Sequence, residues 1–384
     1  MLAACRSLHG GGYIVDAAAS DRPAVTHWSR SCRTRLSVTD PKDDPAGFVT
    51  ELARLARDGA YDVLIPGSDA ALLAISGGRE RLQPLVKVGL PEHRAVESSL
   101  SKVALIDAAS AAGLSVPETA VCGDSEAAVT AARRFGYPVV LKPHQSVFEG
   151  STGLRQLGTI VVEDEDELVG LLPGHGRPCL VQRRQPGTLL SFAGVLAGGE
   201  LLASAVSRYQ RTWPPDAGNV SFSETVSPPP GLRRRVRELL EAIGWEGIFE
   251  LELLEGPDGA AFAIDLNPRV YGSLALAGKA GAPLALIWCD WLLGRSPTAD
   301  TARPGYRYRW DDAELRSLWW LLRRARIREA ISLLRPHRRT VRAHLAPSDP
   351  LPFLARMTVL FRKWIRQIRA RSRPGRAPTP SHKQ

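Results

Sequence analysis

Phe249-Glu-Leu-Glu-Leu-Leu254 and Ala261-Phe-Ala-Ile-Asp-Leu-Asn267, joined through Gly256-Pro-Asp-Gly259, decide how this chain is read. Both segments alternate with period two, and x-Pro-Asp-Gly is turn chemistry, so the stretch is a β-hairpin. Phe249, Leu251, Leu253, Phe262, Ile264 and Leu266 then face a core, while Glu250, Glu252, Asp265 and Asn267 share the other face. With a loop over 257–260, Glu252 sits opposite Asp265. Like charges across a strand pair repel, and neither strand holds a Lys or Arg, so a cation is the natural compensation; oxygen donors of this hardness suit Mg2+. The plain alternative is a solvated face that is acidic by chance.

Upstream, Gly136-Tyr-Pro-Val-Val-Leu-Lys142-Pro143 reads as an apolar strand ending in a lysine. Its stem is buried there, so its amine must face a polar cleft. Gly150-Ser151-Thr152-Gly153 follows. It is either a turn or a loop whose backbone amides can approach phosphates. Lys102 stands near the start of a helix expected over Leu100 to Ala112 and stopped by Gly113.

Asp265-Leu-Asn267-Pro268-Arg269, with Glu252 thirteen positions before Asp265, resembles the metal-binding end of ATP-grasp ligases of the carboxylate-amine type. The Lys142 strand resembles the one that carries a lysine to the nucleotide phosphates. Lys102 is similar to the second nucleotide lysine, and Leu180-Val-Gln182-Arg183 before Pro186-Gly187 resembles the adenine hinge. The resemblance covers about residues 1 to 296. It implies an α/β chain, α+β in the nucleotide-binding part. The fold would be ATP-grasp, with an N-terminal parallel α/β domain and a basic helical C-terminal extension. It further implies Glu252, Asp265 and Asn267 as metal ligands, and Lys102, Lys142, Gly150, Ser151, Thr152, Gly153, Gln182 and Arg183 at the nucleotide. Arg269 becomes the group that holds a carboxylate or acyl phosphate. Arg208 and Arg211, in an Arg-rich stretch from Ser207 to Ser221, become anion clamps, and His144 to Gly153 a lid. The cofactors implied are ATP and Mg2+, expected as two ions with Mn2+ as an alternative. Asp265 departs from the more usual glutamate, and Arg183 stands where the family often has an acid.

The organisation follows from length and pattern. A chain of 384 residues, 44% apolar and 23% charged, supports two or three folded units. The expected divisions are 1–97 (parallel α/β), 98–179 and 180–296 (the two nucleotide-binding subdomains), 297–373 (basic helices) and 374–384 (disordered). The first unit reads as a helix over Leu2 to His9 stopped by Gly10–Gly12, a strand from Tyr13, a helix over Phe48 to Ala56, and strands at Tyr61–Pro66 and Leu85–Val88. It starts on a helix, so it is expected to lack its first strand.

Five scattered cysteines without a CxxC pair read as reduced thiols. The N-terminus has no signal pattern, and no apolar run is long enough to span a membrane. The expected location is the cytoplasm.

Residues 305–384 hold 20 Lys/Arg against 5 Asp/Glu, a net +15, leaving about −5 elsewhere. Phe353, Leu354, Met357, Leu360, Phe361, Trp364, Ile365 and Ile368 recur at helical spacing among arginines, so 353–373 is a basic amphipathic helix. It would lie either on an anionic membrane at its inner face or on the protein's own core. A further helix is expected over Leu315 to Leu334. No specific nucleic acid is expected.

The reaction expected is ATP-driven activation of a small or polymer-attached carboxylate as an acyl phosphate, followed by attack of an amine. A catalytically inactive ATP-binding adaptor with a membrane- or partner-binding tail is the alternative.

Overall fold

A computed structural model describes residues 1–20, 24–150, 153–176, 178–214, 218–298, 300–334 and 337–371. Ser151, Thr152 and the segment 374–384 lie outside the described residues.

The N-terminal unit opens with α1 (Leu2–Gly10), stopped by Gly11 as expected. The strand expected from Tyr13 forms instead as β1 (Ala17–Ala19), parallel to β2 (Arg35–Ser37). Tyr13 donates to Asp290 at 2.6 Å and so is drawn toward the far end of the chain. Asp44 caps α2 (Pro45–Gly59) by accepting from Gly47, with Pro45 pre-set for the first turn. A second parallel pair, β3 (Val63–Leu64) with β4 (Lys87–Val88), replaces the single sheet expected. Helices α3 (Asp69–Gly77), α4 (Arg79–Leu82) and α5 (His93–Leu100) complete the unit.

Ser101 caps α6 (Lys102–Ala111), which places Lys102 in its first turn. The central sheet runs β5-β10-β6-β9, from β5 (Thr119–Cys122), β6 (Val139–Pro143), β9 (Ile160–Val162) and β10 (Cys179–Arg183). It is backed by α7 (Ser125–Phe135) and α8 (Glu165–Leu171). β10 pairs with both β5 and β6, so its residues up to Arg183 belong to this sheet. A pair of antiparallel strands, β7 (Val147–Gly150) and β8 (Gly153–Gln156), stands where the sequence predicts a loop.

The largest sheet runs β15-β14-β11-β12-β13-β17-β18, with β16 (Asp300–Thr301) beside β12. Its members are β11 (Thr188–Ala197), β12 (Glu200–Trp213), β13 (Asn219–Val226), β14 (Gly247–Glu255), β15 (Ala261–Asn267), β17 (Arg307–Arg309) and β18 (Thr340–Arg342). One face packs on α5, α6 and α9 (Leu232–Ile243). Its core also takes in Leu72 and Ile75 of the N-terminal unit, so the units share apolar packing. The other face packs on α1, α10 (Leu274–Lys279) and α11 (Leu284–Leu292).

The basic extension is thus part of the main sheet. It continues as α12 (Asp311–Arg323), α13 (Ile327–Leu334) and α14 (Leu351–Arg371). The single helix expected over 315–334 is broken at Ala325, whose φ of 54° is left-handed. Asp311, Asp312 and Glu314 are buried and hold the extension in place. Asp311 accepts from the His344 amide at 2.8 Å, Asp312 accepts from Arg356 at 2.7 Å, and Glu314 pairs with Arg211. α14 packs on the turn Val25–Trp28 of the N-terminal unit, so one side of this helix is taken by the protein itself.

Candidate active site

The β14–β15 hairpin forms in the expected register: Glu250 faces Asn267 and Glu252 faces Asp265. Phe249, Leu251 and Leu253 are buried as expected. A bulge after Glu252 then shifts β15, pairing Leu253 with Ala263 and leaving Ile264 as the extra residue. The buried positions of β15 become Ala261, Ala263 and Leu266 instead of Phe262, Ile264 and Leu266, because one inserted residue moves everything beyond it to the other face.

That bulge is where the cations converge. Lys142, at the end of β6, donates to the Ile264 carbonyl at 2.8 Å. Lys102, from the first turn of α6, is bonded to Asp265. Both lysines are buried, whereas 30% of the Asp265 side chain reaches solvent. Burial, reinforced by the neighbouring Lys102 charge, pushes the Lys142 ammonium down to about 8. Burial alone would raise Asp265, but Lys102 and Lys142 outweigh it and hold its carboxyl below the usual range. Glu252 is pushed up to about 8 by burial and by the charges of Glu250 and Asp265.

Two residues that the sequence reading passed over complete this face. Tyr209 of β12 donates to Glu252 at 3.1 Å. Ser191 of β11 donates to Glu250 at 2.8 Å, and Asn267 donates to the other Glu250 oxygen at 3.2 Å. Glu250 is therefore a buried strut for Asn267. Both signals were visible as polar residues at alternate positions of apolar strands, but only the register of the sheet brings them to this row.

Arg269 ties this face to the N-terminal unit. Its guanidinium donates to Asp69, at the start of α3, at 2.5 and 3.3 Å, and to the Asn267 side-chain oxygen at 3.1 Å. Asp69 is 7% and Arg269 19% exposed, so this fork is largely shielded from water. Nothing near Asp69 in sequence marks it beyond its place after the capping Ser68.

Other expected site residues go elsewhere. Arg208 lies on the opposite face of β12 from Ser207 and Tyr209 and pairs with Glu255 at 2.6 Å. Arg211 is held by Glu314 of α12 and covers the Phe222 ring. Both lie within β12. Arg183 pairs with Glu118 at 3.0 Å and donates to the Phe135 carbonyl at 2.8 Å, behind the central sheet. Gln182 is buried and donates to Thr119 at 2.8 Å. Gly150 and Gly153 form the tip of the β7–β8 hairpin. There the Leu154 amide donates to the Lys42 carbonyl at 2.6 Å, and Gly153, with φ 128°, leaves no room for a Cβ.

The donor set suits a hard divalent ion. Glu252 and Asp265 present carboxylate oxygens across the strand pair, with the Asn267 amide oxygen beside them. Asn267 gives that oxygen to Arg269, and Asp265 is engaged by Lys102, so both bonds would be exchanged when an ion enters. Among the described residues no group of three or more His, Cys, Asp and Glu side chains is already arranged around a metal position.

No family model matches the chain. The C-terminal section of the carbamoyl phosphate synthase large chain of Aquifex aeolicus (strain VF5) is 25% identical over 200 residues, 48% of this chain and 35% of that protein. The chain thus spans about a third of that relative's length. Among solved structures, the biotin carboxylase–β,γ-ATP complex from Campylobacter jejuni superposes with a TM-score of 0.61 at 16% identity, covering 80% of this chain and 71% of that one. N5-carboxyaminoimidazole synthetase from Staphylococcus aureus, complexed with ADP, gives 0.61 at 12% identity over 79% and 77%. The biotin carboxylase domain of Hydrogenobacter thermophilus 2-oxoglutarate carboxylase, with MgADP and bicarbonate, gives 0.59 at 16% over 79% and 70%. The central sheet bearing one lysine, the large sheet ending in an acidic hairpin and these superpositions agree: the chain has the ATP-grasp fold that these solved structures share.

Proposed function

We propose that this protein is an ATP- and Mg2+-dependent ligase that activates a carboxylate as an acyl phosphate and joins it to an amine, releasing ADP and phosphate. The observation that carries the reading is the convergence of Lys102 and Lys142 on the β15 bulge, directly beside the Glu252–Asp265 pair.

A carboxylate is a poor electrophile because oxide is a prohibitive leaving group. Phosphorylation by ATP gives the acyl carbon a leaving group that an amine can displace. Such a transfer needs charge neutralisation and alignment rather than a protein nucleophile. Lys102 and Lys142 bind the phosphates, Lys102 exchanging its bond to Asp265 for a phosphate oxygen. Glu252, Asp265 and Asn267 would hold Mg2+, expected as two ions with Mn2+ as a substitute, and this metal supplies neutralisation of the phosphate charge when bound. Arg269, whose Nε and Nη2 are held by Asp69, turns its remaining Nη1 N–H and its charge to the substrate carboxylate. The segment His144 to Gly153 serves as the lid that closes over the nucleotide and shields the acyl phosphate from water. The carboxylate is a small molecule or is attached to a polymer, and the second substrate is an amine.

One observation favours the alternative of an ATP-binding adaptor without turnover. Arg183, at the adenine hinge, is committed to Glu118 and Phe135 behind the sheet and offers the base nothing. The test is ADP release from ATP and Mg2+ with pooled carboxylates and amines. Pair-specific release that vanishes in Asp265→Asn supports the ligase, whereas nucleotide binding without release under every pool supports the adaptor.

A further inference from the structure

α12 and α13 carry the least explained surface of the molecule. The side of α12 that meets the core is Ala313, Glu314, Ser317 and Leu321. The opposite side presents Leu315, Trp319 and Leu322, at helical spacing i, i+4 and i+7, which are 50%, 56% and 50% exposed. α13 turns Ala330 and Leu333 inward against Leu321 and leaves Ile327 and Ile331 50% and 54% exposed. Scattered apolar residues on a surface are ordinary, but five large ones within seventeen residues of two adjoining helices are not.

The charge around them selects the occupant. Arg316, Arg323, Arg324, Arg326 and Arg328 lie among these side chains, and Glu329, paired with Arg326, is the single acid between 315 and 331. The Arg323 guanidinium lies 4.0 Å above the Trp319 ring. This joins a cation to the aromatic side chain best suited to a water–hydrocarbon boundary. A second copy of the chain would bring two arginine rims face to face. A nucleic acid would satisfy the arginines but leave the aliphatic side chains in water. The chain beyond 371 offers no cover, since among its side chains other than proline only Ala377 is apolar.

We infer that α12 and α13 form a docking face for an anionic lipid bilayer. The apolar side chains enter the headgroup boundary and the arginines hold lipid phosphates. This face is separate from α14, one side of which is covered by the Val25–Trp28 turn. It is also separate from the site at the β15 bulge, so the inference stands or falls independently of the proposed reaction.

The test mixes the full chain with vesicles of phosphatidylcholine, alone or mixed equally with phosphatidylglycerol. Co-sedimentation is expected with the mixed vesicles only, together with a blue shift of tryptophan emission and a loss of binding as salt is raised. Trp319→Ser with Leu322→Ser is expected to weaken binding at least about tenfold, and Arg316→Gln with Arg323→Gln by a similar factor. Because these positions are exposed, the melting temperature should be unchanged, and the wild-type fluorescence shift reads the same contact without any substitution. The inference is overturned by equal sedimentation with both vesicles or by variants that bind like wild type. It is also overturned if binding is lost through Phe361→Ser on α14 instead, or if the wild-type chain forms a dimer that Trp319→Ser abolishes.

Discussion

Asp69 and Arg269 lie 200 positions apart in sequence and meet in a fork mostly out of water, which ties Arg269 to the N-terminal unit. Asp69→Ala would leave the Arg269 charge buried and unpaired, at a cost of about 3 kcal/mol. A lower melting temperature is expected, with a rise in KM for the carboxylate that Asp69→Glu partly rescues; unchanged values for both would remove Asp69 from the site. Lys142→Ala is expected to abolish measurable nucleotide binding. Asp265→Asn should keep part of that affinity and lose about a hundredfold or more in turnover. Glu252 gives a pH signature. Pushed up to about 8, it keeps in the folded metal-free protein a proton that the unfolded chain releases near the ordinary carboxylate range. The folded state then binds more protons between about pH 5 and 8, so stability falls as pH rises through that window. The melting temperature of metal-free protein should fall accordingly, and Glu252→Gln should flatten the fall. The acidic residues were legible from their alternation alone, because a strand assigns faces by parity. Asp69 and Tyr209 were not, because nothing local marks a residue whose partner lies 200 or 43 positions away.

Elements rather than single residues explain where expectation and structure part. The hairpin, the capped helices α2, α6 and α7 and the Lys142 strand carry strong local signals and form close to where the sequence puts them. The bulge carries no such signal, yet it turns the Ile264 carbonyl to Lys142 and sets the phase of β15. Deleting Ile264 should restore plain alternation with Asp265 still opposite Glu252, remove the carbonyl to which Lys142 donates and lower turnover while the protein still melts cooperatively. β13 and the continuation of β12 through Arg208 and Arg211 were hidden by polar side chains, which both faces of this part of the sheet accommodate with partners such as Glu255 and Glu314. At the β7–β8 hairpin, Gly153→Ala meets the Lys42 carbonyl from a backbone angle that suits glycine, so about 1 to 3 kcal/mol of strain is expected. That should appear as faster proteolysis near the hairpin and slower turnover.

At the scale of the whole molecule, the C-terminal extension is structural as well as basic. β17 and β18 prolong the largest sheet. Asp349 links Ser29 at 2.6 Å and Arg6 at 2.9 Å, fastening the extension to the N-terminal unit. Ending the chain at residue 296 should therefore leave Arg211 and the β13 edge uncovered and yield aggregated protein, whereas ending it after residue 371 should leave the melting temperature unchanged. The charge of this region was plain from composition. Its role in the sheet was not, because β17 and β18 are three-residue strands without alternation of their own and form only where β13 offers an edge. No helix among the described residues is long and apolar enough to cross a membrane.

In the proposed function, the lysines and acids at the β15 bulge drive ATP-dependent activation of a carboxylate. The most direct measurement is ADP release by the purified chain, given ATP, Mg2+ and pools of carboxylates and amines, with Asp265→Asn in parallel. Release that depends on one carboxylate–amine pair and disappears in the variant is the expected result. Tight nucleotide binding with no release under any pool, or release that Asp265→Asn leaves intact, would contradict it.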